Sequence, residues 1–211
     1  MPKPITTSAL AGAAGLSAIA LNDAATFALT GQYSTASDDF GVNGFYLVSG
    51  LVHGLAYLAF AGVLRAYGPQ VDGGSRFRRV VRLLLIVAFL VLAGGMLADT
   101  AGSAMTGEML AGNGLYGVVA TVCFLIHFLG SIALGLGLLR RPGMRLPAWT
   151  LTAILPVVGL TIVLGVLGSP WAHPAYAEAL VCFGIAFIGV SSGRATHPMG
   201  APEPLLDPVR G

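Results

Sequence analysis

Charged side chains are scarce in this chain of 211 residues, of which only 9% are Asp, Glu, Lys or Arg. Apolar residues make up 55% of the sequence, and its mean hydropathy is +0.82. A soluble globular domain usually has about 25% charged residues, because polar groups must cover its surface. The composition therefore excludes an ordinary soluble protein and predicts one that lies in a membrane.

Several signatures of soluble enzymes are also absent from the sequence. Nothing resembles a nucleotide-binding loop, a Ser–His–Asp nucleophile elbow or a Cys-x-x-Cys redox pair. The two cysteines, Cys123 and Cys182, both fall in apolar runs. We expect free thiols that pack as small apolar groups, since nothing indicates a disulfide framework.

What the sequence has instead is six long apolar runs. They are continuous rather than alternating, which favours spanning helices over the strands of a barrel. Each run is long enough to cross the hydrocarbon core, which takes about 20 residues of helix. The predicted fold is an all-α polytopic bundle of six transmembrane helices, at residues 5–30, 44–66, 80–101, 114–139, 149–168 and 174–192.

These helices are expected to form one domain over residues 1–194. A disordered cytoplasmic tail, rich in Pro and Gly, is expected at residues 195–211. The first run also resembles a secretory signal peptide, because Lys3 precedes a weakly apolar, Ala-rich stretch. We favour a retained helix, since the end of this run is repeated later in the chain.

The repeat pairs residues 21–31 with residues 97–107, which agree at six of eleven positions and align Asp23 with Asp99. An internal repeat indicates which structural unit the chain is built from, whatever single motifs it contains. The sequence therefore predicts tandem helix hairpins, with copies at about residues 5–66 and 80–140 and a degenerate third hairpin at 149–192.

The basic residues predict the orientation. All eleven Lys and Arg residues fall on one side of the six-span topology, whereas the opposite loops carry Asp38, Asp39 and Glu108. Cytoplasmic loops retain Lys and Arg, so both termini of this multi-pass cell-membrane protein are predicted to be cytoplasmic. The pI near 8.7 then reflects topology and does not indicate a nucleic-acid partner. The expected partners are the lipid bilayer and a hydrophobic small molecule, and homo-oligomer formation stays open.

Five ionisable residues lie within the predicted spans, where such groups are costly and usually mark a site. Counted from the cytoplasmic arginines at about 1.5 Å per residue, both histidines lie about 18–20 Å above that face and Asp99 about 25 Å. His53 and His127 also occupy corresponding positions in the two copies. We expect a polar pocket in the outer half of the membrane, with the histidines at its floor. Its candidate catalytic residues are Asp23, His53, Asp99, His127 and Glu178.

Each of these residues also has a structural explanation. A histidine can hydrogen-bond a neighbouring helix, an aspartate can cap a loop or helix end, and Glu178 can cap the first turn of the last helix. The repeat favours a functional set, because both aspartates and both histidines persist while most other positions differ.

Three functions fit this set of residues. The first is an intramembrane enzyme of the isomerase or cyclase type, without metal or cofactor, in which a carboxyl group donates a proton and a histidine accepts one. The second is a b-type cytochrome with His53 and His127 as axial ligands of haem b. Against it, the outer carboxylates would repel the haem propionates, and no Lys or Arg lies on that side. The third is a small transporter or accessory binding protein, since repeats and mid-membrane polar groups also occur there.

Overall fold

The computed structural model describes residues 3–34, 40–109 and 114–195. Within these ranges the chain consists of helices, turns and loops without strands, which confirms the predicted all-α class. Asp38 and Asp39 of the predicted outer loop lie outside the described residues, as does the predicted tail from residue 196 onward. The helices are α1 (Pro4–Thr30), α2 (Gly44–Ala66), α3 (Gly68–Asp72), α4 (Arg76–Thr106), α5 (Gly114–Leu138), α6 (Arg145–Thr152), α7 (Ile154–Val166) and α8 (Ala175–Ala195).

Six helical units are long and apolar enough to cross a membrane, as a multi-pass membrane protein requires. They are α1, α2, α4, α5, the pair α6–α7, and α8. These units pack against one another in chain order around a ring. Helix α8 closes the ring against α1 and also contacts α2, so the first and last spans are neighbours.

The fifth span is divided into two helices. Helix α6 ends at Thr152 and α7 begins at Ile154, just before Pro156. Proline has no N–H to donate to the carbonyl four residues earlier, and its ring crowds that carbonyl, so Pro156 accounts for the break. Helix α7 buries only Ile154 and packs mainly on α8, which leaves it at the periphery of the bundle.

The ends of α1 and α4 have the same local geometry. Each is followed by a glycine with positive φ, 74° at Gly31 and 71° at Gly107. The Thr30 hydroxyl donates to the carbonyl four residues earlier at 2.7 Å and accepts from an N–H two residues later at 3.2 Å. Thr106 makes the same two bonds at 2.9 and 3.2 Å. The two segments that the sequence aligns therefore end their helices with the same local geometry, and duplication of the whole hairpin stays a prediction.

One end of the bundle, here called the arginine end, collects the basic residues. Arg82 donates two hydrogen bonds to the Asp72 carboxylate, at 2.8 and 2.9 Å. Arg78 donates to the carbonyl oxygens of Asp72 at 2.7 Å and Gly137 at 3.2 Å, which joins α3 and α4 to the end of α5. The short helix α3 is therefore held against the start of α4 and the end of α5.

The opposite end is called the carboxylate end and is defined by Asp23, Asp99 and Glu178. These residues lie in the halves of α1, α4 and α8 that are remote from the arginine end. The sequence has no Lys or Arg at residues 4–64, 83–139 or 146–193, so this half of the bundle has no permanent cation. The two ends thus differ sharply in charge.

Candidate functional site

The core of the candidate site is a polar stripe on α2. Its members are three or four residues apart and share one helix face. Tyr46, Ser49 and Tyr57 are buried and His53 is half-buried. The stripe runs from the start of α2, at the carboxylate end, to the middle of the helix.

Tyr57 connects three of the five predicted site residues. Its side chain is fully buried, and its hydroxyl donates to Glu178 Oε1 at 3.4 Å, from α2 to α8. Its ring centroid lies 6.0 Å from that of His53 and 5.8 Å from that of His127. One carboxyl group, one phenol and two imidazoles therefore meet near the centre of the bundle.

His127 is fully buried, and neither of its ring nitrogens has a hydrogen-bond partner among the described residues. Aromatic rings surround it, with centroids at 5.0 Å for Phe128, 5.1 Å for Phe89 and 5.6 Å for Phe124. The Ser131 hydroxyl, one turn along α5, is also buried without a partner in the part of the chain that the structure describes. Such groups are rare in native structures, because each costs about 1–3 kcal/mol, and they call for an explanation.

His53 differs from His127 in its hydrogen bonding. Its Nδ1 lies 2.8 Å from the carbonyl oxygen of Ser49. A carbonyl only accepts, so Nδ1 carries the hydrogen and Nε2 keeps the lone pair in the neutral ring. His53 Nε2 can therefore take a proton from a neighbouring molecule.

Asp99 lies near the end of the polar stripe that is at the carboxylate end. Its carboxylate accepts hydrogen bonds from the Tyr46 hydroxyl on α2 and from the Ser103 hydroxyl at 3.5 Å on α4. Tyr46 precedes His53 by seven residues, about 10 Å along the helix. Asp99 is thus hydrogen-bonded to the polar stripe, closer to the carboxylate end than the residues around Tyr57.

Asp23, the residue that the repeat aligns with Asp99, has different partners. It accepts a hydrogen bond from the Ser34 N–H at 2.6 Å, and its other oxygen lies 3.5 Å from His173 Nε2. His173 Nδ1 accepts from the Ala175 N–H at 3.2 Å, which leaves Nε2 as the protonated nitrogen facing Asp23. Asp23 therefore ties the loop after α1 to the loop before α8.

We expect Asp23→Asn to change stability by less than about 1 kcal/mol, because asparagine keeps an oxygen for Ser34 and loses only a partly exposed ionic contact. Any activity of the site should persist, since the contacts found for Asp23 lead to the loops and not to Tyr57. Thermal unfolding and activity of the purified variant would measure both. A complete loss of activity would show instead that Asp23 belongs to the catalytic set.

Toward the arginine end, the inner face of α2 becomes apolar. Below Tyr57, the buried face of α2 continues with Phe60 and Leu64, both fully buried. The facing side chains of α4 and α5 that are fully buried include Leu85, Phe89, Leu134 and Leu138. Eight residues separate Tyr57 from Arg65, about 12 Å of helix. Over the described residues, the polar stripe therefore ends at mid-bundle.

Haem ligation fits one histidine better than the other. The bond from His53 Nδ1 to a backbone carbonyl is the orientation that metal-ligating histidines commonly have. His127 has no exposed surface, and Tyr57, Phe89 and Phe128 lie against its ring, so a haem would have to displace one of these rings. Axial ligation by both histidines stays a prediction that this packing does not favour.

Sequence reasoning missed two residues that organise this region. Tyr57 shares a helix face with His53 by its spacing, but its contact with Glu178 joins residues 121 positions apart. His173 lies in the loop before α8, and no local pattern in the sequence pairs it with Asp23. The i, i+4 spacing of His53 and Tyr57 was the one available signal.

No protein-family model matches this chain, and comparisons with curated proteins and with solved structures found no match.

Proposed function

We propose that this chain is an integral membrane enzyme of the isomerase or cyclase type, which acts on a hydrophobic small molecule by acid–base chemistry. The single observation that carries the proposal is the position of Tyr57, whose hydroxyl contacts Glu178 and whose ring contacts His53 and His127. An acid–base site needs a proton donor and a proton acceptor close together in a region that excludes water.

The roles follow from the bonds that these groups make. The carboxyl group of Glu178 gives a proton to the substrate, either directly or through the Tyr57 hydroxyl. A neutral imidazole takes a proton from another position of the substrate. It is either His53, at Nε2, or His127 once one of the rings packed against it has moved aside. One proton is added and one removed, so the product is an isomer and no oxidant or reductant is required. Asp99, through Tyr46, positions the outer end of the polar stripe.

The end of the stripe at mid-bundle favours an enzyme over a transporter. A transport path needs polar groups or water on both sides of its binding site. Between Tyr57 and the arginine end, the fully buried side chains on the inner faces of α2, α4 and α5 are apolar except Ser131. A polar stripe that reaches only one end of the bundle suits a reaction whose substrate and product leave by the same route.

The orientation that goes with this function has the arginine end in the cytoplasm, together with both termini. Cytoplasmic segments retain Lys and Arg, and the described residues of this chain have them at one end only. The site would then open toward the outer leaflet of the cell membrane. A hydrophobic substrate would reach it from the bilayer.

The proposal is tested by comparing lipid extracts from cells that produce the native chain, Glu178→Gln or Glu108→Gln. Glutamine keeps an acceptor for the Tyr57 hydroxyl but cannot donate a carboxyl proton, so Glu178→Gln should fold and lose the product by at least about 100-fold. Glu108 is an exposed carboxylate at the same end of the bundle and provides the matched control. Extracts that are identical for all three chains would contradict an enzyme.

A further inference from the structure

Glu178 is a carboxylate within the bundle that has no cationic partner among the described residues. Its neighbours are the Tyr57 hydroxyl, at 3.4 Å, and the Cys182 thiol one turn along α8. His173, at the same end of the bundle, faces Asp23 instead. Glu178 is half-buried, and a carboxylate in an apolar bundle normally has a counter-charge, because even partial burial of an unpaired charge is costly.

The rest of the site also favours positive charge over negative charge. Tyr57 contacts Phe60 and Phe89 with ring centroids 6.4 and 5.7 Å apart, and further rings surround His127. The faces of aromatic rings attract cations within about 6 Å. Among the described residues, no Lys or Arg lies in this half of the bundle, so an enolate, a phosphate or a carboxylate would meet no lysine or arginine there.

The unpartnered groups of α5 are an independent indication of a ligand at this position. His127 and Ser131 are both fully buried, and their ring nitrogens and hydroxyl have no partner among the described residues. Orphaned polar groups of this kind are usually satisfied by a bound molecule or by water. A neutral imidazole beside a developing cation can remove a proton from it.

We propose that the substrate is a neutral, hydrophobic alkene and that the reaction passes through a carbocation at this site. The inference rests on the proposed function and adds the class of substrate and the charge of the intermediate. Glu178 transfers its proton to one carbon of a C=C bond, whose π electrons form the new C–H bond. The adjacent carbon becomes cationic beside the Glu178 carboxylate and the aromatic faces.

The second half of the reaction restores neutrality. His53 or His127 takes a proton from a carbon next to the cation, and the electrons of that C–H bond form a C=C bond at a new position. In a cyclase, a second C=C bond of the same chain attacks the cation first, and the proton is lost afterwards. The imidazolium returns its proton to Glu178, so the site regains its starting state.

Stable amines with one long chain mimic such an intermediate, because they carry a positive charge within an apolar molecule. The probes are N,N-dimethyldodecylamine, which is protonated at pH 7, dodecanol and dodecanoate, each added to the purified protein in lipid nanodiscs. The amine should raise the Tm by about 5 °C, and the neutral and anionic probes should leave it within about 1 °C. The shift should disappear in Glu178→Gln and persist in Glu108→Gln.

Three results would overturn the inference: an equal shift with dodecanol, an equal amine shift in Glu178→Gln, or no shift with the amine. If dodecanol raised the Tm as much as the amine and this shift disappeared in Glu178→Gln, the proposed function would stand. The substrate class would then be a different one. The proposed function is judged separately by the lipid extracts, because that comparison uses no probe. Lost product in Glu178→Gln without an amine shift would therefore reject only the carbocation.

Discussion

Arg82→Met is expected to lower the free energy of unfolding by about 3–5 kcal/mol, the range found when one partner of a buried ion pair is removed. The Arg82 and Asp72 side chains are only 12% and 9% exposed, and two hydrogen bonds join them. Methionine fills much of the same volume but leaves Asp72 without these donors. The bundle should loosen at its arginine end, where α3 is held against α4.

Arg79→Met provides the matched control, because Arg79 also approaches the Asp72 carboxylate, at 3.5 Å, but is 64% exposed. Exposed pairs contribute little, so its effect should stay below about 1 kcal/mol. Denaturant unfolding of both variants in detergent, followed by tryptophan fluorescence, measures the difference. Equal effects of the two substitutions would mean that the pair with Arg82 does not stabilise the fold.

The same pair predicts how stability depends on pH. The hydrogen bonds from Arg82 lower the pKa of Asp72 below its usual value. Because the folded state holds this proton less tightly than the unfolded state, the contribution is complete above about pH 4 and is lost as the pH falls through the folded pKa. Acid should therefore destabilise the native chain more than Arg82→Met.

His127→Leu is expected to raise the free energy of unfolding by about 2 kcal/mol and, where His127 rather than His53 is the base, to abolish product formation. The gain follows because two buried ring nitrogens without partners are replaced by an apolar side chain of similar size. The loss follows because leucine cannot accept a proton. Substitution of a residue that destabilises the fold but is needed for activity raises stability and lowers activity.

His53→Leu separates this effect from a general preference for apolar side chains. His53 Nδ1 is bonded to the Ser49 carbonyl oxygen, so its removal should give no gain in stability. Thermal unfolding in nanodiscs and product formation in the same preparations measure both quantities. If His127→Leu destabilised the protein, the imidazole would have an unseen structural partner and the argument from its isolation would fail.

The number and positions of the long helices could be predicted from the sequence, because an apolar run of this length is expected to form a helix that crosses the membrane. The α2 stripe was partly readable, since His53 and Tyr57 share a face by their spacing. The contact of Tyr57 with Glu178 was not, because it depends on α8 closing the ring beside α1 and α2. Such closure depends on packing between distant helices, which leaves no local pattern.

The repeat also shows that contacts between distant helices cannot be predicted from a local sequence pattern. It aligned Asp23 with Asp99 and suggested one role for both, and the helix ends beside them do share their hydrogen bonds. Yet Asp23 faces His173 in the loop before α8, whereas Asp99 accepts from Tyr46 of α2. The two aligned segments meet different neighbours in the ring, so aligned residues have different partners.

Proton transfer to and from a hydrophobic molecule is the central claim, and deuterium labelling tests it most directly. Membranes that contain the native chain or Glu178→Gln would be incubated in D2O, extracted, returned to H2O and analysed by mass spectrometry. Carbon-bound deuterium survives the return, whereas deuterium on oxygen and nitrogen exchanges away. The account predicts at least one hydrophobic compound that gains deuterium with the native chain and not with Glu178→Gln. Extracts in which no compound differs in label or abundance between the two would contradict it.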